Sequence, residues 1–194
     1  MFDTPPPVAL EGAQSEDAIA AAQRLRYEVF VEELGSHGPL VDHERRLEID
    51  RFDPYFDHLV LKDTARGRVI GVYRVMRREQ AEAAGGFYSA SEYDLGPLIA
   101  TGRPLMELGR SCVHRDYRGS PAVYHLWRGL AAYTRAHGIE VLFGVASFHG
   151  TDLDAIAAPL SLLHHRHLAP PDLRVRAQPA AFQWMDLIPE EDLD

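Results

Sequence analysis

Arg74 sits in Val69-Ile-Gly-Val-Tyr-Arg-Val-Met76, a run that is apolar on both alternating faces. A guanidinium in such a strand belongs to the interior or to the wall of a cleft, and there it needs an anionic partner. Glu107 and Arg110 lie in the next strand-like run, Leu-Met-Glu-Leu-Gly-Arg-Ser-Cys-Val. A spacing of three would send them to opposite faces. Gly109 between them marks a place for a bulge, whose extra residue returns both side chains to one face and frees backbone groups for a ligand. Asp50 and Asp53, in Glu-Ile-Asp-Arg-Phe-Asp, precede these strands and can pair with Arg26, Arg74 or Arg110. Taken singly, each acid reads as a solvated loop residue, with an Asx turn at Asp53-Pro54. Arginines in several apolar elements nevertheless require several anions, supplied by these acids or by a substrate.

Other reactive residue types carry less. Cys112 lies in an apolar strand with no neighbour that marks an activated thiolate, and reads as a small core residue. His164, His165 and His167 close a helical stretch, where the helix dipole favours histidine, and no further ligand spacing accompanies them. No metal is expected.

The elements that must position these residues follow from periodicity and punctuation. Residues 1–14, with Pro5-Pro6-Pro7, read as a poorly ordered arm. Ser15 caps a helix with Glu16 and Asp17 in its first turn, running to about Leu34 and ended by Gly35 and Gly38. Ile19, Ala22, Arg26, Val29 and Phe30 share one face of it, which places Arg26 on the apolar stripe and Arg24 off it. An acid-rich loop spans 36–57. Residues 58–62 and 69–76, joined around Ala65-Arg66-Gly67, form a β-hairpin. A short helix is expected over 95–100 and a strand over 105–114. Ser120 as N-cap and Pro121 at the first position open a helix that Gly138 stops. A strand over 140–148 and a helix over 152–167, broken or kinked at Pro159, complete the pattern. This order predicts an α/β (α+β) fold with helices on both faces of the sheet.

The chain has 194 residues, of which 46% are hydrophobic and 25% charged, the proportions of an ordinary globular domain. Cys112 is the single cysteine, so no internal disulfide forms and a cytoplasmic setting is expected. No run approaches the ~18 apolar residues of a membrane span. The net charge of −9 argues against a duplex-binding surface, so nucleic acid is not expected as a partner.

Together the hairpin, the strand with its bulge, and the helix opened by Tyr117-Arg118-Gly119-Ser120 resemble the GNAT acyltransferase fold, with a mixed, mostly antiparallel sheet. More narrowly, Arg26-Tyr-Glu-Val-Phe30, Asp50-Arg-Phe-Asp53, Arg74 and Glu107-Leu-Gly-Arg110 are similar to the signature shared by acyl-homoserine-lactone synthases and ornithine lipid N-acyltransferases. Arg26 to Gly35, His58-Leu-Val, Glu107 to His114, and Ala146 to Asp152 with His164-His-Arg-His167 look like the second branch. The resemblance runs from about Ala20 to Arg176, inside a domain read as 15–176, with 177–194 as a C-terminal extension that stops where relatives continue. An N-terminal strand expected in this fold is poorly represented in residues 1–14.

For this chain the resemblance implies transfer of a 3-hydroxyacyl group from acyl carrier protein to the α-amine of L-ornithine. Glu107 or Asp50 is then the candidate base, with backbone N–H groups near Gly109 holding the oxyanion. Arg26, Arg74 or Arg110 grips the α-carboxylate, with Phe30 and Asp53 also in the acceptor site. No tightly bound cofactor is implied, since the donor enters as a phosphopantetheine arm. The lipid product allows peripheral contact with the inner membrane. Two other readings are a lactone synthase using S-adenosylmethionine, although residues 35–57 lack the tryptophan usual in such enzymes, and a non-catalytic acyl-binding module.

The donor expectation rests on the loop holding Arg115, Arg118, Gly119 and Ser120. GNAT enzymes that use coenzyme A carry Arg/Gln-x-x-Gly-x-Gly/Ala there, which cradles a diphosphate on backbone N–H groups. Here the segment reads Arg118-Gly-Ser-Pro-Ala-Val123, so Pro121 removes a donor and Val123 adds a branched side chain. A carrier-protein arm has one phosphate and asks less of the loop, while Arg115, Arg118, Arg77 and Arg78 can face an acidic carrier surface.

Overall fold

The computed structural model describes residues 8–148 and 150–193. Along the chain run β1 (Val8–Gly12), α1 (Glu16–Arg26), β2 (Asp57–Asp63), β3 (Arg68–Arg77), α2 (Arg78–Ala84), β4 (Tyr93–Asp94), α3 (Gly96–Ala100), β5 (Leu105–Val113), α4 (Ala122–Ala136), β6 (Val141–Gly144), α5 (Leu153–Arg166) and β7 (Arg176–Ala177). They group into two compact units. The first unit ends at Phe87 and resumes over Pro104–Phe143, and the second holds Tyr88–Arg103 and the chain from Gly144 on.

The five-stranded sheet has the order β1-β2-β3-β5-β6, antiparallel from β1 through β5. Residues 8–12, expected in a poorly ordered arm, are instead an edge strand in register with β2, from Val8 opposite Asp63 to Gly12 opposite Leu59. Tertiary packing supplies what the short, proline-preceded segment does not signal. Leu10 closes on α4 at Gly129, where an added Cβ would overlap Leu10 Cδ2. β6 is also shorter than expected, pairing along one side only and ending at Gly144.

Ser15 caps α1 as its sequence predicts, its Oγ accepting from the Ala18 N–H at 3.2 Å. The helix does not continue unchanged to Leu34. From Tyr27 to Glu33 it widens into a π-helical stretch and stops at Gly35, whose φ is 69°. α2 has no counterpart in the sequence reading. It is set by the Gln80 side chain, which accepts from the Arg77 N–H at 2.8 Å, and by Gly85 in the left-handed conformation.

Apolar residues cover both faces of the sheet. On one, Ala22, Leu25 and Val29 meet Val60, Val72 and Cys112. On the other, Leu126 and Leu130 of α4 meet Leu61, Ile70, Val75 and Met106. In the second unit, β4 pairs with β7. Its α5 is capped by Asp152 and carries Pro159 within it. Ser161 Oγ donates to the Met185 carbonyl and accepts from the Leu187 and Ile188 N–H groups, so residues 185–188 are tied to α5. Phe182 and Trp184 of the expected extension are exposed, at 60% and 56%. No helix among the described residues is long and apolar enough to cross a membrane.

Candidate active site

Arg26, Arg74, Asp50 and Asp53 come together on the α1 side of the sheet. Arg26 Nη1 donates to Asp53 Oδ1 at 2.6 Å, and Arg74 Nη1 reaches the same oxygen at 2.6 Å. Arg74 Nη2 lies 2.8 Å from Asp50 Oδ2. Gln23 Nε2 and His58 Nε2 complete the Asp53 surroundings, donating to Oδ2 at 3.0 Å and to the main-chain carbonyl at 3.2 Å. Arg74 also rests over the Phe56 ring, 4.1 Å from its centroid.

Glu48 is a member of this cluster that the sequence reading did not pick out. Its Oε2 accepts from Arg26 Nε at 2.5 Å, its main-chain carbonyl from Arg26 Nη2 at 2.9 Å, and its Oε1 from Arg110 Nε at 3.1 Å. The one available signal was its place in Leu47-Glu-Ile-Asp, beside an apolar residue that turns out to be buried. Gln23 was legible only as the residue one helical turn before Arg26. The loop that carries Glu48, Asp50 and Asp53 is not the solvated segment that its polarity suggests. Leu47, Phe52 and Phe56 anchor it in the interior, and the Asx-type turn forms at Asp50, whose Oδ1 accepts from the Phe52 N–H at 2.8 Å.

Electrostatics hold the cluster in its charged form. Burial pushes the Asp53 carboxyl up, but Arg26 and then Arg74 outweigh it and bring its pKa down to about 2. Burial likewise opposes the charge of Arg26, and Asp53 followed by Glu48 more than restores it. His58 is pushed down by burial, so its ring is neutral at pH 7. With Nε2 donating, its Nδ1 faces inward as an acceptor. Cys112, deep under α1, is raised by burial to about 12 and is no nucleophile.

On β5 the expected bulge is present. Val72 faces Cys112 and Arg74 faces Gly109, so β5 holds one residue more than β3 over this stretch. The residue that absorbs it is Arg110, not Gly109, with φ of 49°. That left-handed conformation is uncommon for a side chain other than glycine. Opposed residues of an antiparallel pair share a face, so Glu107, opposite Met76, and Gly109, opposite Arg74, lie on the α1 side. Arg110 reaches the same side through Glu48 and stands 5.6 Å over the Phe30 ring. Glu107 is buried, whereas Asp50 and Arg110 are partly accessible and form the rim.

The donor loop differs from its expected form in detail. α4 has Pro121, not Ser120, at its N-cap. Ser120 serves the helix start from one residue further out, its Oγ donating to the Tyr117 carbonyl and accepting from the Ala122 N–H at 3.2 Å. Gly119 has a φ of 78°. Arg115 and Arg118 converge on Glu33, at 3.3 and 2.7 Å, and Arg77 is shared between Asp57 and Glu79.

In the second unit, His164, His165 and Asp186 approach one another, with potential ligand atoms within 4.8 Å. His165 Nε2 already has polar partners, the Ile188 carbonyl at 3.1 Å and Asp186 Oδ1 at 3.1 Å, a contact that holds the 185–188 segment.

Comparison with known proteins adds a family to this geometry. A profile described as "Acetyltransferase (GNAT) domain" matches residues 25–128. A protein of Rhodobacter capsulatus named L-ornithine N(alpha)-acyltransferase is 56% identical over 97% of the chain and 74% of its own length. Among solved structures, the N-acyl amino acid synthase FeeM from uncultured soil microbes superposes with a TM-score of 0.54 at 15% identity, covering 81% of this chain and 79% of its own. The AHL synthase LasI gives 0.53 at 20% identity, covering 73% of each chain. At these identities the two structures speak to the fold alone.

Proposed function

Since the chain belongs to the GNAT acyltransferases, in the family of the L-ornithine N(alpha)-acyltransferases, we propose that it transfers a 3-hydroxyacyl group from an acyl carrier protein thioester to the α-amine of L-ornithine. The observation that carries the reading is the buried Arg26–Asp53–Arg74 cluster with Glu48, which opens through Asp50 and Arg110 to a partly accessible rim. A diamino acid offers one carboxylate and two ammonium groups. Arg110 is suited to the carboxylate and Asp50 to the side-chain ammonium, each braced from behind by a partner of opposite charge.

The reaction needs a neutral amine. Glu107, buried two residues before Gly109 on β5, takes the proton from the α-ammonium. The nitrogen lone pair then attacks the thioester carbonyl, a C–N bond forms, and the tetrahedral oxyanion is held by backbone N–H groups at the distorted Gly109–Arg110 stretch. Collapse breaks the C–S bond, and the phosphopantetheine thiolate leaves and is protonated. Asp53, held at about 2 and locked between two arginines, takes no part in proton transfer and serves to position them.

The donor assignment is supported by the helix start. The Ala122 N–H is engaged by Ser120 Oγ and Pro121 has no N–H, which leaves little of a diphosphate cradle. The lactone-synthase reading has fold likeness alone behind it.

The test is a product analysis with the same 3-hydroxyacyl chain on carrier protein and on coenzyme A, and with ornithine, lysine or glutamine as acceptor. The expected product is N-acyl-ornithine, formed faster from the carrier thioester and slowed by salt. Equal use of both donors without a salt effect would overturn the donor, and another acylated amino acid in excess would overturn the acceptor. Glu107→Gln should lower kcat by about 10²–10⁴-fold, the usual range for a lost general base. A variant with undiminished kcat would remove Glu107 from that role.

A further inference from the structure

Helix α4 packs on the sheet through Ala122, Leu126, Gly129 and Leu130, and its opposite arc is unusual in composition. Val123, Tyr124 and Trp127 are exposed at 49%, 64% and 55%, and Ala131 continues the stripe by one turn. Arg128 and Arg135 line one edge, with the Arg128 guanidinium 6.0 Å from the Tyr124 ring centroid. The helix has no acidic residue, in a chain whose net charge is −9. The arginines of the donor loop are paired with Glu33, whereas among the described residues Arg128 and Arg135 face no carboxylate.

We propose that this arc of α4 docks the enzyme on the surface of an anionic lipid bilayer. Tryptophan and tyrosine present an apolar body with a polar edge, which suits the headgroup layer, and arginines beside them meet lipid phosphates while their stems stay among apolar groups. Such a helix lies along the interface with only its outer arc immersed. The charge pattern favours this face: α4 carries arginines and no acidic residue and is drawn to an anionic surface, in a chain whose net charge is −9. An acidic protein partner fits less well, because the centre of the patch is aromatic and its two charges lie at one edge, two helical turns apart. The proposal goes beyond the acyl-transfer reading and adds where an amphiphilic product would be released.

Vesicle binding tests it without substrate, so its failure and that of the proposed reaction are separable. The full chain carrying Trp184→Phe, which leaves Trp127 as the one indole, is mixed with vesicles of phosphatidylglycerol and phosphatidylcholine, or of phosphatidylcholine alone. The expected result is co-sedimentation and a blue-shifted emission with the anionic vesicles, weakened by salt. In the parent chain, Tyr124→Ala with Trp127→Ala should reduce the bound fraction by about tenfold or more, and Arg128→Gln or Arg135→Gln by roughly fivefold each. These variants should keep their thermal transition and their rate in a vesicle-free assay. Absence of binding to anionic vesicles would overturn the proposal, as would binding indifferent to the four substitutions. So would an emission shift produced by acyl carrier protein and not by vesicles.

Discussion

Asp53 is the residue on which the cluster turns, accepting from Arg26, Arg74 and Gln23 while its own carbonyl holds His58. Its carboxyl is depressed from 3.8 to about 2, so the folded state binds its proton more weakly than the unfolded chain. The sign follows directly: the stabilisation, about 2 kcal/mol, is complete above the unfolded value near 4 and is lost as pH falls through about 2. A ¹³C-carboxyl NMR titration of the folded protein should give Asp53 a midpoint near 2, and a midpoint near 4 would contradict this. Arg74 faces the same carboxylate from the sheet. Replacing it by methionine leaves Asp50 and Asp53 without their partner on that side, a change that costs about 3–5 kcal/mol when a buried pair is broken. Urea unfolding of Arg74→Met should show a loss of that size, and an unchanged midpoint would mean that the ion pairs contribute nothing net.

Among the elements, β1 and α4 depend on one another at a single glycine. Leu10 Cδ2 occupies the place of a side chain at position 129, so any larger residue there must turn Leu10 aside, and the glycine lets the edge strand lie against the helix. Gly129→Val should therefore destabilise the protein by about 1–3 kcal/mol through overpacking, with β1 yielding first because it pairs on one side only. Hydrogen exchange resolved along the chain checks this: faster exchange should appear at residues 8–12 while β3 stays protected. The β5 bulge is the second element-scale device. One extra residue there, taken up by Arg110, puts Glu107 and Arg110 on the same side of the sheet, which regular alternation would forbid.

At the scale of the whole molecule, the first unit carries the charged cluster between α1 and the sheet, with α4 covering the far face. Cys112 lies under this assembly, and its thiol is raised to about 12 by burial. Thiol labelling therefore reports opening of that core: at pH 8 the native protein should react many orders of magnitude more slowly than unfolded chain, at a rate that tracks denaturant in parallel with global unfolding. Rapid labelling without denaturant would show that α1 separates from the sheet by itself.

What the sequence by itself determined is what local periodicity and punctuation can encode. Ser15 with Glu16 and Asp17 starts α1, the doubly apolar run around Arg74 is a buried strand, and Gly109 next to Arg110 announces a break in alternation. Each signal spans a few neighbouring residues. The tertiary structure decided the rest. Glu48 has only apolar Leu47 beside it as a local sign of burial, because its partners Arg26 and Arg110 arrive from 22 and 62 positions away. Gln23 and His58 gain their roles from Asp53, at separations of 30 and 5. The short strand β1 exists because β2 offers it an edge and Gly129 leaves space for Leu10. A loop has no period to read, and a buried charge is tolerated only where distant elements bring its counter-ion, so these residues became legible when the chain had folded around them.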